Sequence, residues 1–130
     1  MSDTVSDLLT SLRNAVRLRK HFVELRETKV GLSILGALKR SGFIWDYSSV
    51  DRIGRPYVRV ALKYTPSGDS VMRSLSRVSK PGNRVFVCAD KIPAVQQRLG
   101  ITLLSTNRGV ISGVEARSQR VGGELICSVY

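Results

Sequence analysis

The 130-residue chain carries 21 Lys and Arg against 10 Asp and Glu, a formal charge of +11, yet it is 42% hydrophobic and only 24% charged. This excludes a disordered polycation and leaves a globular protein of one or two small domains whose natural counterpart is nucleic acid. No apolar run reaches the roughly 18 residues of a transmembrane helix, and an N-terminus opening with Asp3 and Asp7 fits neither a signal nor a transit peptide, so the expectation is a soluble, non-exported protein without membrane partners.

Val5, Leu8, Leu9, Leu12, Ala15 and Val16 share one helical face and predict an amphipathic first helix, with Arg13, Arg17, Arg19 and Lys20 mostly on its other faces. His21 to Arg26 reads as a short strand. Thr28 is a candidate N-cap for a second helix carrying Val30, Leu32, Ile34, Leu35 and Leu38, and Gly42 stands where a helix-terminating glycine belongs. Within that helix Gly31 and Gly36 read first as tolerated glycines, with close backbone approach as the second reading. Phe43 to Tyr47 and Tyr57 to Tyr64 follow as strands, with Gly54 and Pro56 between them as in a hairpin. The first half is thus α-β-α-β-β, with helices on one face of a small sheet.

Thr65 to Asp69 combines Pro, Gly and small polar residues, which places a domain boundary there: residues 1–65 and 66–130. Val71 to Val78 and Arg84 to Cys88 flank Lys80-Pro81-Gly82-Asn83, spaced as a type II turn, and predict a β-hairpin. Pro93 opens a short helix through Arg98, ended by Gly100. Ile101, Leu103 and Leu104 draw a strand into a core, which then runs into the polar loop Ser105-Thr106-Asn107-Arg108-Gly109. Ser112 and Glu115 have capping-box spacing, and Leu125, Ile126 and Val129 form a closing strand behind Gly122-Gly123. The fold class is α+β: an N-terminal α-β-α-β-β unit and a mainly β C-terminal domain with short helices.

Catalytic chemistry is poorly represented. His21 has no orienting carboxylate nearby in sequence, and the carboxylates are scattered singly, Glu24 and Glu27 beside Arg26 and Lys29. Walker, GxGxxG and HExxH motifs are absent. Cys88 and Cys127, far apart in apolar surroundings, read as buried reduced thiols rather than a disulfide or a metal site. The chain therefore reads as a non-enzyme without a cofactor or metal. Binding chemistry is better represented. Ser105, Thr106 and Asn107 offer hydroxyl and amide groups suited to sugars, phosphates and base edges, although the same residues also make a plain polar turn. Lys80 and Arg84 add charge; Phe86, Tyr57 and Tyr64 are core residues by pattern, with stacking on a base as the second reading for Phe86.

The run Gly100-x-x-Leu103-Leu104-Ser105-Thr106-x-x-Gly109-Val110-Ile111-x-x-x-x-Ala116-Arg117 resembles the signature of the bacterial form of the eighth protein of the small ribosomal subunit. Four further stretches resemble that family in order: Asp7 to Ala15, Leu38 to Ile44, Arg77 to Gly82, and Val121 to Cys127. The resemblance implies two small α/β domains and a structural RNA-binding protein of the cytoplasmic ribosome, bacterial or organellar, which binds the central domain of the small-subunit ribosomal RNA directly and nucleates its assembly. It further implies that Ser105, Thr106 and Asn107 reach an irregular RNA helix, with Glu124 close by to brace them; Arg108 and Gly109 of the same run, and Lys80, Arg84 and Phe86 by their charge and pattern, complete the candidate RNA-binding residues. A second RNA segment would be held by Arg13, Asn14, Lys29 and Arg55. The implied partners are small-subunit proteins five and twelve, with the chain a monomer among them, and its own operon messenger RNA. An RNA-processing or assembly factor, or a translational regulator acting on that message, are the alternatives. The chain departs from the family pattern in lacking a proline before the first helix, in Asn107 where serine is frequent, and in Arg108 where lysine is frequent.

Overall fold

A computed structural model describes residues 4–92 and 100–130, so the helix expected from Pro93 to Arg98 lies outside the described residues. The chain falls into two compact units, Met1–Met72 and Arg73–Tyr130. The turn at residues 65–69 is tied back on itself, Thr65 N donating to Asp69 O and Gly68 N to Thr65 O, and Val71 N then donates to Lys63 O. Residues 66–72 accordingly go with the first unit.

In the first unit, helix α1 (Thr4–Arg17) forms because Leu8, Leu9, Leu12 and Ala15 recur at helical spacing, and all four are buried. Strand β1 (Phe22–Arg26) leads to α2 (Lys29–Arg40), whose N-cap Thr28 accepts from Gly31 N at 2.9 Å. The capping hydroxyl occupies the space a side chain on Gly31 would need, 2.7 Å from where its Cβ would lie, so that glycine permits a close approach, whereas at Gly36 the Tyr47 hydroxyl at 3.2 Å makes only a tight contact. Gly42, at φ +83, ends the helix as expected. Strands β2 (Ile44–Arg52) and β3 (Arg55–Leu62) complete an antiparallel sheet of order β1-β3-β2. Leu25, Val58, Val60 and Leu62 face the core with Ile34, Leu35 and Leu38 of α2.

The β2–β3 connection is tighter than expected, because both strands run up to a two-residue turn and Pro56 lies within β3. Ile53 (φ +55) and Gly54 (φ +73) both adopt positive φ, as a type I′ turn requires. Ile53 is fully exposed, so nothing packs against it to compensate for a β-branched residue in the left-handed region.

In the second unit, strands β4 (Leu75–Arg77), β5 (Phe86–Val87), β6 (Ile101–Thr106), β7 (Gly109–Ser112) and β8 (Gly123–Val129) form one sheet, with helix α3 (Gly113–Gln119) after β7. β8 joins it: β6 pairs along one edge, while β4 and β5 share the other. The expected hairpin between β4 and β5 is therefore not formed. Leu75, Ser76 and Arg77 pair with Val129, Ser128 and Cys127; Val78 N donates to Ile126 O and Leu125 N to Val85 O; Phe86 and Val87 then pair with Glu124 and Gly123. Residues 75–87 are one strand line interrupted by an excursion at residues 79–84. Lys80 and Asn83 close that excursion by exchanging main-chain bonds, but Gly82 has no positive φ, so the turn is not type II. Beneath the sheet, Leu104, Ile111, Ala116, Leu125 and Ile92 form a buried cluster. The expected Ser112–Glu115 capping box is present in both directions. Of the cysteines, Cys127 is buried as expected, but Cys88 is exposed, because it lies just beyond β5 where the sheet ends.

Replacing Ile53 by Asn, which tolerates the left-handed region, is expected to raise stability by about 1 kcal/mol. Chemical denaturation of the two proteins measures the difference, and an unchanged or lower midpoint would contradict the strain assigned to this turn.

Candidate nucleic-acid interface

The polar segment expected as a loop after a strand is the end of a β-hairpin. Ser105 and Thr106 belong to β6, only Asn107 and Arg108 form the turn, and Gly109 opens β7 at φ +98. Thr106 is already engaged in holding that turn, its hydroxyl donating to Gly109 O at 2.9 Å and accepting from Arg108 N at 3.1 Å. Ser105, Asn107 and Arg108 are exposed.

Strand register places further candidates beside the hairpin. Phe86 pairs with Glu124, Glu124 with Ser105, and Ser105 with Val110, so these four side chains form a row across β5, β8, β6 and β7 on one face of the sheet. The opposite face carries Leu104, Leu125 and Ile111 into the core. The sequence pattern assigned Phe86 to the core, but it is 69% exposed. It alternates with Val85 and Val87, which are packed against the core cluster, and so points the other way.

Glu124 organises the row. Its carboxylate accepts from the buried Ser79 hydroxyl at 2.6 Å and from Arg84 Nη1 at 3.1 and 3.2 Å. Ser79 in turn accepts from Val85 N at 3.0 Å, so the two residues flanking the excursion at residues 79–84 are tied to the strand that also positions Ser105. Lys80 stands exposed in that excursion. Gly123 makes the arrangement sterically possible: a Cβ there would run into the Ser105 carbonyl and approach Thr106 Cγ2 at 3.1 Å. Sequence reading missed Ser79 as a contributor, although it lies within the Arg77 to Gly82 motif; its burial and pairing with a residue far along the chain leave no local signature.

Arg13, Asn14, Lys29 and Arg55 lie in the first unit and do not join this row. Arg13 and Asn14 are neighbours on α1, with Arg17 Nη2 donating to Asn14 Oδ1 at 3.2 Å. Lys29 begins α2 and Arg55 begins β3, at the end of the sheet where Glu27 N donates to Pro56 O. All four are exposed. Among the described residues no cluster of His, Cys, Asp and Glu is arranged to hold a metal ion, and no helix is long and apolar enough to cross a membrane.

Comparison with known proteins gives a consistent result. Residues 3–130 match the family model described as ribosomal protein S8. The chain is 42% identical to the small ribosomal subunit protein uS8 of Rhodopirellula baltica over 131 residues, covering 99% of this chain and 98% of the relative. It is 43% identical to the protein of the same name from Thermus thermophilus over 137 residues, covering 100% and 99%, and 41% identical to that of Acholeplasma laidlawii over 130 residues, covering 100% and 98%.

The two hydroxyls of the hairpin are expected to separate in a stability measurement. Thr106→Ala removes both bonds that close the turn and should lower stability by about 1 kcal/mol, with Thr106→Ser retaining most of it. Ser105→Ala should lie within about 0.5 kcal/mol of the parent, as exposed substitutions do. Thermal denaturation of the three variants decides; equal losses at 105 and 106 would contradict the division of roles.

Proposed function

The chain belongs to the ribosomal protein S8 family, and from that membership we propose that it is a structural constituent of the small ribosomal subunit, not an enzyme, which binds the central domain of the small-subunit RNA directly and helps nucleate its assembly. The observation that carries the RNA contact is the row Phe86, Glu124 and Ser105, flanked by Lys80 on one side and by Asn107 and Arg108 on the other. Its parts are chemically distinct. Ser105 and Asn107 supply donors and acceptors for base edges and sugar hydroxyls; Arg108, Lys80 and the guanidinium edge that Arg84 leaves free of Glu124 supply phosphate contacts; Phe86 supplies an exposed ring for an unpaired base. Thr106 and Gly109 set the turn that presents them, and Glu124 holds the flanking excursion in register. Regular A-form RNA hides its major-groove base edges, so a surface of this mixed kind is suited to a distorted helix or a bulge.

In this reading Arg13, Asn14, Lys29 and Arg55 serve a second RNA segment through the first unit. The family resemblance adds small-subunit proteins five and twelve as neighbours. A messenger RNA imitating the ribosomal site would be bound by the same row, giving control of the chain's own operon.

The test is binding of the purified protein to the central-domain RNA fragment of its own ribosome, against a scrambled duplex of equal length at near-physiological salt. The expected result is a preference on the order of a thousandfold. Ser105→Ala should weaken binding of the fragment by about 1 to 3 kcal/mol. Lys80→Ala should reduce the salt slope by roughly one counterion per lost phosphate contact. Equal affinity for fragment and duplex, collapsing together as salt rises, would overturn the proposal.

A further inference from the structure

The first unit presents one sheet face to its helices and the other outward. On the outer face β1 contributes Phe22, Glu24 and Arg26, and the strands paired with it continue the rows: Phe22 opposite Ala61, Glu24 opposite Arg59, Arg26 opposite Tyr57. Two large rings lie open there, Phe22 at 51% exposure and Trp45 at 61%. Each carries a cation: the Arg59 guanidinium carbon lies 4.2 Å from the Phe22 ring centre, and Lys63 Nζ lies 4.5 Å from that of Trp45. A bulge that inserts one extra residue in β2 brings Trp45 out, since Ile44 pairs with Leu62 and Asp46 with Ala61.

Charge on this face is one-sided. Arg26, Arg52, Arg55, Arg59 and Lys63 stand against Glu24, which Arg52 already holds as an ion pair and keeps below the ordinary carboxylate range. Asp46, at the β2 edge, is bound by Lys39 of α2 at 2.9 Å. Exposed rings that seat a hydrophobic protein partner are better left bare. Here both are matched with cations and surrounded by more, which is the combination that stacks bases while neutralising their phosphates.

We propose that the outer face of the β1-β3-β2 sheet is a further RNA-binding surface, on which Phe22 with Arg59 and Trp45 with Lys63 stack the unpaired bases of a single-stranded RNA segment. Every residue it uses lies in the first unit and none belongs to the hairpin row; of the set Arg13, Asn14, Lys29 and Arg55, only Arg55 borders this face, and neither stacking pair includes it. Stacking requires no sequence readout, so the surface takes single strands of varied sequence and rejects duplex, whose base faces are occupied.

Trp45 is the chain's one tryptophan, and it lies within the proposed site, so its fluorescence reports locally. The full chain is titrated at low salt with oligoadenylate of about eight nucleotides, a length within the span such surfaces bind. Saturable quenching of Trp45 is expected, absent with a duplex of the same length. Phe22→Ala and Arg59→Ala should each weaken the quenching isotherm about fivefold or more, while Phe22→Tyr preserves it; thermal melts of all variants establish that they fold. Oligonucleotide binding seen by anisotropy without any change in Trp45 overturns the proposal, as does an unchanged isotherm for Phe22→Ala. In assembled small subunits, a photo-crosslinking analogue at position 22 should capture RNA; capture of a neighbouring protein instead would also overturn it. Because the probe is an unstructured oligonucleotide, failure of central-domain recognition by the hairpin row is a separate outcome that leaves this result standing.

Discussion

The missing side chain at Gly123 is the constraint on which the second unit's surface rests. At that position β8 comes so close to β6 that any Cβ would meet the Ser105 main-chain carbonyl, which cannot swing aside as a side chain could. This approach is what lets the next residue, Glu124, lie directly between Ser105 and Phe86. A carboxylate in that place reaches Ser79 and Arg84 at once, so segments far apart in sequence hold a common geometry. The surface is thus preorganised by a steric allowance and one charged acceptor, with the exposed groups left to meet a ligand.

The two units present their candidate surfaces by different means. In the second, polar groups stand at the tip of a hairpin and in an excursion from a strand line, where backbone turns supply the geometry. In the first, alternation along three strands sends Val58, Val60 and Leu62 inward and Tyr57, Arg59 and Ala61 outward. The positive charge that was evenly spread in the sequence is therefore gathered by the pleat itself, since period-two alternation in β3 puts Arg55 and Arg59 on the same face.

Much of the architecture was legible in the sequence because its signals are local. Helix α1 announces itself through apolar spacing, α2 through Thr28 and Gly42, and α3 through Ser112 and Glu115, each a contact between residues within one or two turns. The larger failures concern pairing at a distance. Residues 75–78 and 85–87 have the composition and connecting turn of a hairpin, but whether two strands pair with each other or with a third is decided by what else borders them, and β8 lies about forty residues further on. Phe86 was assigned inward for the same reason: an aromatic in a strand is usually core, and only the placement of Val85 and Val87 reverses it. Thr106 looked like a ligand-binding hydroxyl and is instead committed to its own turn, a distinction that composition does not carry. The outer face of the first sheet went unread because Phe22 and Trp45 are separated in sequence and brought alongside their cations only by strand register and a bulge.

The central position of β8 also has a consequence for biosynthesis. Each strand it pairs with, β4, β5 and β6, precedes it in the chain. During translation β4 and β5 leave the ribosome with no mate and β6 with β7 alone, whereas the first unit already has all of its strands in hand. The row Phe86, Glu124 and Ser105 is consequently completed only once β8 is available to pair with β5 and β6. A translation product interrupted before β8 would hold every strand of the first sheet and yet lack the row Phe86, Glu124 and Ser105.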